Sequence, residues 1–197
     1  LFGEGSSGVP FRIAANARIA PDQYVVALEG AGNGIDFRTA TPARLVRSEG
    51  AWRLAPTRID LKGGSMTLAG RYGNGLAMQS RITSLDLSLV NAFLPGLGIA
   101  GTASGSVDFT QGQGARVPEA DARLTIKGFR RSSLSSVSAP VDIVFAGNVD
   151  AGGGQGRALI RRGDTTIGRM VATLAPLPAG AGGWVQQLLA APLDGGL

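Results

Sequence analysis

The sequence predicts an all-β protein, built as an elongated antiparallel sheet with one or two short helices. Apolar and polar residues alternate with period two in almost every segment, so each strand has one apolar and one polar face. Clusters of Gly, Asn, Asp and Pro separate these segments at short intervals. Strands joined by short turns are antiparallel neighbours, which favours a meander.

The first alternating segments lie between residues 11 and 56. In FRIAANARIA, the residues Phe11, Ile13 and Ala15 are in phase, and Ala17 and Ile19 continue the pattern. The pattern returns in YVVALEG, GIDFRTA, ARLVRSEG and AWRLAP. The intervening GAGNG supplies residues that tolerate the positive φ of tight turns. This part of the chain is therefore predicted to form a series of short strands.

The clearest alternation begins at residue 57, in TRIDLKGGSMTLAGRY. Ile59 and Leu61 point to one side of the predicted strand, whereas Arg58 and Asp60 point to the other. Further alternating segments follow at residues 65–72, 76–83, 102–110, 121–128, 140–149, 156–162 and 165–174. The turn clusters RYGNG, TQGQG and DAGGGQG lie between them. The meander is therefore expected to continue through most of the chain.

Two segments carry a helical pattern instead of alternation. In the segment 88–94, a short helix ends before Pro95, and Asp86 and Ser88 are its predicted capping residues. The segment 183–190 is the second helix candidate, with Trp184 and Leu188 on a shared side. Both are too short to be stable alone, so we expect them to dock on the sheet. If the sheet forms a groove, the first is expected to plug or cap a section of it.

Composition describes a folded chain that is rich in small residues. Hydrophobic residues make up 44% of the 197 residues and aromatic residues only 6%, while Gly occurs 31 times. The chain starts LFGEG without an initiator Met, and it has neither a signal-peptide pattern nor an apolar run long enough to span a bilayer. Residues 1–197 are therefore expected to be a single fragment of a longer protein.

Cysteine and histidine are both absent, and this limits the available chemistry. Disulfides, most zinc sites, and serine–histidine or cysteine–histidine catalysis are excluded within this chain. The carboxylates of Asp108, Asp121, Asp142 and Asp164 fall on predicted polar faces. The sequence gives no sign that two of them converge, as paired acid and base catalysis requires. We therefore predict no catalytic residues, no metal site, no cofactor and no enzymatic activity.

The net charge of +5 comes mostly from arginine. A basic chain of this kind could bind nucleic acid or an anionic membrane. However, Arg53, Arg58, Arg71, Arg81 and Arg123 each lie beside apolar strand positions, on the predicted solvent face, with acidic residues among them. The arginine pairs are not interleaved with aromatic residues. The sequence therefore predicts no binding of nucleic acid.

The apolar sides of the strands form the candidate binding site, a lining for acyl chains. In an open, curled sheet these residues would line a groove, whereas in an ordinary two-layer β fold they would fill the core. The sparse aromatic residues shift the balance little, because small β cores can also be aliphatic. The pattern alone therefore leaves both possibilities open. The candidate lining residues are Ile59, Leu61, Met66, Leu68, Met78, Ile82, Val107, Phe109, Leu124, Ile126, Val141, Ile143 and Phe145.

Three motifs occur in an order that resembles a known family. A strand motif contains Gly63, Gly64, Met66, Leu68 and Gly70. A short helix motif, Leu85, Asp86 and Leu87, is followed by a strand motif with Pro95, Gly96, Leu97, Gly101, Gly105 and Val107. The closing WVQQLLAAPLDGGL contains Trp184, Leu188, Pro192 and Gly195. Over residues 54–110 and the tail, the chain resembles the C-terminal region of the TamB family (translocation and assembly module), in the wider AsmA-like group.

The resemblance implies that the sheet is curled, as a β-taco or repeating β-groove with an apolar concave face, and that the chain has a place in outer-membrane biogenesis. Proteins of this family are anchored in the inner membrane of Gram-negative bacteria by an N-terminal helix and cross the periplasm as a β-taco with a hydrophobic groove. They are implicated in phospholipid transport between the inner and outer membranes. With an Omp85-type (TamA-like) partner, they are also implicated in protein secretion and in the assembly of outer-membrane proteins. The anchor would lie outside this fragment.

The expected function is accordingly a section of a groove that conducts phospholipid and supports outer-membrane protein assembly. Its expected partners are phospholipid acyl chains, the Omp85-type protein and outer-membrane protein clients. Two alternatives stay open at this point. The chain could be an interaction module whose strand edges pair with outer-membrane β-proteins by strand addition. It could also be a passive structural spacer with a filled core.

Overall fold

The computed structural model contains one antiparallel sheet in which almost every strand pairs with the strands before and after it in the chain. The structure describes residues 2–6, 10–32, 35–61, 63–92, 97–115, 117–133, 136–176 and 191–196. The strands are β1 (Phe2–Ser6), β2 (Pro10–Ala20), β3 (Gln23–Gly32), β4 (Ile35–Thr39), β5 (Ala43–Ser48), β6 (Ala51–Leu61), β7 (Gly64–Gly73), β8 (Gly75–Asp86), β9 (Ile99–Gly112), β10 (Glu119–Arg131), β11 (Val141–Asp150), β12 (Gly153–Arg162), β13 (Thr165–Leu174) and β14 (Leu193–Gly196). The prediction of an all-β antiparallel meander is confirmed.

One position in the sheet is shared by two strands. β4 pairs with residues 29–32 of β3 and with residues 59–61 of β6. β5 pairs with the other ends of the same two strands, at residues 23–26 and 51–54. The short connection 40–42 separates them and contains Pro42. β4 and β5 thus act as one interrupted strand between β3 and β6.

The sequence pattern gives two separate segments, 51–56 and 57–62, but in the structure residues 51–61 form the single strand β6. The register with β7 shifts between Leu54 and Thr57, which marks a β-bulge. The Thr57 hydroxyl donates a 2.8 Å hydrogen bond to the carbonyl oxygen of Ala55 within this bulge. Pro56 lacks an N–H group and is tolerated here because a bulge interrupts the ladder. The bulge therefore lets one strand carry two phases of alternation.

Tight turns between consecutive strands produce the meander. Glu49 and Gly50 connect β5 to β6 with φ values of 52° and 77°, as expected of a two-residue hairpin turn with two positive φ angles. Two-residue connections also join β2 to β3 and β12 to β13. Such turns are too short for a crossover connection, so each strand pairs with the strand that precedes it in the chain. The sheet is therefore elongated across its strands.

The sheet has no packed core in the part of the chain that the structure describes. The buried residues there are all small: Thr57, Ser65, Ala103, Pro118, Gly153, Ala158 and Ala191. The accessible surface is 12956 Å², whereas a compact monomer of this mass exposes about 8,700 Å². Strand contacts are made between neighbours in the sheet. The fold is thus a single layer, unlike a sandwich.

The two faces of the sheet differ in exposure. Along β10, alternate side chains are half-buried and exposed, with Leu124 and Ile126 half-buried and Arg123, Thr125 and Lys127 exposed. No second layer covers either face of the described sheet. This difference in exposure is consistent with a sheet that curls toward the side that carries the apolar residues.

The helix predicted at residues 88–94 has a different form. The structure has a 3-10 helix, Leu87–Ala92, between β8 and β9. Its first turn is capped by Asp86, whose carboxylate accepts a 2.8 Å hydrogen bond from the N–H of Ser88. Of the two predicted capping residues, Asp86 is therefore the one whose side chain accepts, while Ser88 donates its N–H. Residues 93–96 and the second helix candidate, 183–190, lie outside the described residues.

The 3-10 helix is held against the start of β9. The Asn91 side-chain amide donates a 2.7 Å hydrogen bond to the carbonyl oxygen of Ile99. Its carbonyl oxygen accepts a 3.0 Å bond from the N–H of the same residue. Asn91 therefore pairs with the backbone as a neighbouring strand would, and it fixes the helix at the sheet margin.

Gly105 provides a test of the close approach between β9 and β10. Its φ is +150°, and a Cβ atom there would clash with the backbone carbonyl of Arg123. Gly114 also has a positive φ, of +76°, but a Cβ there would meet nothing within 4 Å. We expect Gly105→Ala to lower the free energy of unfolding by about 3 kcal/mol and Gly114→Ala by about 1 kcal/mol. Urea denaturation followed by circular dichroism measures both, and equal losses would contradict the described register.

Candidate apolar binding face

The register places every predicted lining residue on one face of the sheet, here named the apolar face. Residues paired across antiparallel strands point to the same side, as do alternate residues within a strand. Ile59 pairs with Met66, which pairs with Ile82. Leu124 likewise pairs with Phe145, and Ile126 with Ile143. The remaining members, Leu61, Leu68, Met78, Val107, Phe109 and Val141, follow by the same register.

The predicted lining side chains are accessible to solvent rather than buried in a core. Met78 is 38% exposed, and the other predicted lining residues are all half-buried. In a two-layer fold, the same side chains would be covered by the opposite layer. Here each one is covered mainly by its neighbours on the same face.

A continuous apolar row crosses the sheet at right angles to the strands. From β6 to β13, each residue of this row pairs with the next, and none of them is polar. The row spans about 34 Å, given the usual spacing between strands, which is close to the ~30 Å thickness of a bilayer's hydrocarbon core. Its members are Ile59, Met66, Ile82, Gly105, Leu124, Phe145, Ala158 and Met170.

The apolar face extends beyond the residues that the sequence pattern singles out. On its N-terminal side it includes Tyr24, Leu45 and Leu54, which pair in succession across β3, β5 and β6. The bulge between Leu54 and Thr57 explains why these are missed, because it puts Leu54 on the same side as Ile59 despite their odd spacing. On β2, the in-phase apolar residues of FRIAANARIA are the sequence signal that indicates this extension of the apolar face.

A depression of about 500 Å³ lies on the N-terminal part of the apolar face. Its lining is Ala17, Ile19, Tyr24, Val26, Leu28, Ala43, Leu45 and Leu54. Tyr24 stacks on Trp52, with ring centroids 4.7 Å apart and an angle of 15° between the planes. The stack forms one end of an apolar hollow that has no charged residue in its lining.

A second depression, of about 310 Å³, lies at the C-terminal end of the same face. The ring of Phe145 lies over two glycines, since a Cβ atom at Gly147 or Gly156 would meet that ring at 2.7 Å or 3.2 Å. The absent side chains leave space for the ring to lie flat and for the hollow beside it. Ala122, Ala172 and other small residues complete the floor.

The opposite face is polar and carries most of the charges, whereas Arg47, which pairs with Trp52, lies on the apolar side by the same register. The predicted solvent-face arginines, Arg53, Arg58, Arg71, Arg81 and Arg123, are all exposed there. In the described part of the chain, the ion pairs are those of Asp60 with Arg58, at 2.8 Å, and with Arg38, at 3.9 Å. Exposed pairs such as these add little stability.

A larger depression of about 690 Å³ lies on this polar face, over β2 to β6. It is lined by both signs of charge, including Arg12, Glu29, Asp36, Arg38 and Asp60. The charges largely balance, and the hollow is open to water. It is therefore a weaker candidate for an acyl-chain site than either apolar depression, in spite of its size.

Asp108, Asp121 and Asp142 lie on the polar side, whereas Asp164, predicted to lie on a polar strand face, is in the turn between β12 and β13. Asp108 and Asp121 are directly opposite each other on β9 and β10, a pairing that the alternation does not reveal. The carboxylate of Asp142 accepts a 2.8 Å hydrogen bond from the N–H of Gly128. Within the described ranges, no group of three or more His, Cys, Asp and Glu residues is arranged to hold a metal ion.

Comparisons with protein-family models, with curated proteins and with solved structures find no match for this chain. Among the described residues, no helix combines the length and the apolar character needed to span a membrane. The arrangement itself offers an accessible apolar face with few polar groups. Such a face can hold an apolar chain by burial alone, without chemical steps.

Trp52 can report on an acyl chain in the N-terminal depression. With Trp184 replaced by Phe, Trp52 is the remaining tryptophan. We expect a fatty acid brominated on its chain to quench most of the Trp52 emission, because bromine quenches on contact and Trp52 stacks on the depression's Tyr24. Leu45→Asp should weaken this quenching. Val46→Asp, on the opposite face of β5, is the matched control and should leave it unchanged.

Proposed function

We propose that this chain is a section of a hydrophobic groove that conducts phospholipid, with the acyl chains held on the apolar face and the head groups in water. The resemblance to the TamB family extends the proposal to transport between the inner and outer membranes. It also extends it to support of outer-membrane protein assembly with an Omp85-type partner. The periplasm is the location that this function requires.

One observation carries the proposal, namely an apolar face that no second layer covers in the described structure. Monomeric soluble proteins seldom leave large continuous apolar areas uncovered, and such areas commonly mark binding sites. The row from Ile59 to Met170 is continuous across β6 to β13. Its length of about 34 Å exceeds that of one acyl chain, which spans about half of the ~30 Å hydrocarbon core of a bilayer.

The energetics favour a sliding ligand. Transfer of one methylene from water to an apolar environment contributes about 0.8 kcal/mol. An acyl chain therefore gains several kcal/mol from partial burial at any point along the row. Because the row carries no polar side chain, no single position holds the chain much more tightly than the next. Such a surface binds lipid diffusely and allows it to move.

A passive spacer fits the described structure less well. A spacer that only spans a distance gains stability by burying its large apolar side chains, as two-layer folds do. In the described residues, the buried side chains are no larger than Thr or Pro. An exposed apolar face lowers the solubility of a spacer and does not help it to span a distance.

Phospholipid that co-purifies with the chain tests the proposal. The chain is expressed in the periplasm of a Gram-negative host, purified gently, and examined by native mass spectrometry and lipid extraction. We expect bound phospholipid, and we expect about tenfold less in the double variant Leu68→Asp and Ile143→Asp, because a carboxylate is costly to bury against an acyl chain.

The control changes the same chemistry on the polar face. Val144 and Val171 are 46% and 62% exposed there, so the double variant Val144→Asp and Val171→Asp should retain its lipid. Circular dichroism establishes that both variants fold. A folded wild-type protein without lipid, or equal lipid loss in both double variants, would refute the groove.

A second candidate function, strand addition, is favoured by the edge at β14. In the described part of the sheet, β14 pairs with β13 and with no other strand. The N–H of Ala175 donates to the carbonyl oxygen of Pro192 at 3.0 Å. The antiparallel pattern alternates from this bond, which directs the N–H groups of Leu193 and Gly195 away from β13. These groups could pair with a strand of an outer-membrane protein client.

Proline at this edge separates the two candidates. Gly195→Pro removes an outward N–H without breaking a bond to β13, so it should abolish client pairing and leave lipid binding unchanged. Asp194→Pro, which removes an inward N–H, controls for damage to the ladder. Cross-linking to an outer-membrane protein client, measured beside lipid content, distinguishes the outcomes. Unchanged cross-linking in Gly195→Pro would eliminate this candidate.

A further inference from the structure

A row of arginines crosses the polar face, in register with one another. Arg58 on β6, Arg81 on β8, Arg123 on β10 and Arg157 on β12 are linked through successive residue pairs. Neighbouring arginines are two strands apart, which is about 10 Å. We name these four residues the arginine row. Alternation places each of them on the polar face but does not align them.

Each gap in the row is filled by a small residue. Thr67 lies between the first two arginines, Ser106 between the next two, and Ala146 between the last two. A shallow depression of about 260 Å³ lies around the last gap, lined by Arg123, Ala146 and Arg157 among others. Two guanidinium groups can therefore reach one anion placed above the small residue between them.

Most of the positive charge of the arginine row is not neutralised by ion pairs. Arg58 donates to Asp60 at 2.8 Å. In the described part of the chain, Arg81, Arg123 and Arg157 form no ion pair, and all three are exposed. The row is thus an available set of cationic groups with a regular spacing of about 10 Å.

The geometry of the arginine row and the residues beside it limit which class of anion can bind there. Adjacent strands in a sheet are rotated by about 20–25°, so successive arginines of the row point in directions about 40–50° apart. A flat membrane would meet only one or two of them, whereas a flexible linear chain can follow the twist. From β6 to β13, the described aromatic side chains lie on the apolar face, so the row offers no rings on which bases could stack.

Polar side chains beside the row suit sugar hydroxyl groups. Asn148 and Gln155 form a cross-strand pair next to the last gap and line its depression. Their amides can both donate and accept hydrogen bonds. In an acidic polysaccharide with one carboxylate on every second sugar, the charges are a disaccharide apart, which is of the same order as the spacing of the row.

We propose that the arginine row is a docking surface for an acidic polysaccharide that carries one acidic group on every second sugar. The carboxylates lie between neighbouring guanidinium groups, above Thr67, Ser106 and Ala146. The row uses the face opposite to the apolar one, so the two functions are independent. Asp108 and Asp121, one row away, repel the polyanion and limit its affinity.

The test uses a fluorescently labelled hyaluronan decasaccharide, the full chain and fluorescence anisotropy at low salt. We expect binding that weakens with added salt, as for other polyanions. The triple variant Arg81→Gln, Arg123→Gln and Arg157→Gln should raise the Kd about tenfold. The control is the triple variant Arg12→Gln, Arg131→Gln and Arg162→Gln. It removes the same charge from exposed positions outside the row and should change the Kd less than about threefold.

Two further variants keep the test independent of any loss of folding. Ala146→Glu places a carboxylate between two arginines, where opposite charges across strands stabilise the sheet, and it should weaken binding. Asp108→Asn with Asp121→Asn removes the repulsion and should strengthen binding.

Several results would overturn the proposal. These are the absence of wild-type binding, equal losses in the two triple variants, and tighter binding to vesicles of phosphatidylglycerol and phosphatidylcholine, which would assign the row to a membrane surface. Tighter binding to a single-stranded oligonucleotide of equal charge would assign it to nucleic acid and overturn the proposal equally.

Discussion

The structure depends on one constraint, that each strand must be held by its neighbours within a single layer. In the described part of the chain, the strands form one sheet, and the main contacts between elements follow its order. Each backbone hydrogen bond contributes only about 1 kcal/mol net, so long strands and tight hairpins are needed to accumulate stability. β9 and β10, with 14 and 13 residues, meet this need in the middle of the sheet.

The same constraint explains the choice of residues on the apolar face. Side chains there are covered only by neighbours on the same face, so β-branched and aromatic residues gain most from lying flat against the sheet. Phe145 over Gly147 and Gly156 is the clearest case, since the ring takes the space that the glycines leave. Burial is then confined to small residues such as Ala103 and Ala158. The face stays open, which is the property on which the proposed groove depends.

The polar face is organised by the same ladder of pairs. Since paired residues share a face, a register that aligns Ile82 with Gly105 also aligns Arg81 with Ser106 one position away. The apolar row and the arginine row are therefore two consequences of one set of strand pairings. A slip of a single residue would exchange the faces of a strand and break both rows.

The alternation in the sequence determined the strands, the antiparallel meander and the shared face of the predicted lining residues. Period two fixes which side a residue takes, and tight turns fix which strand is the neighbour. The sequence could not place the bulge between Leu54 and Thr57 or the shared position of β4 and β5, because each depends on partners in other strands. It also left open whether the apolar sides fill a packed core or line an open groove. Only the tertiary structure decided between them, because alternation states that a face is apolar but not whether another layer covers it.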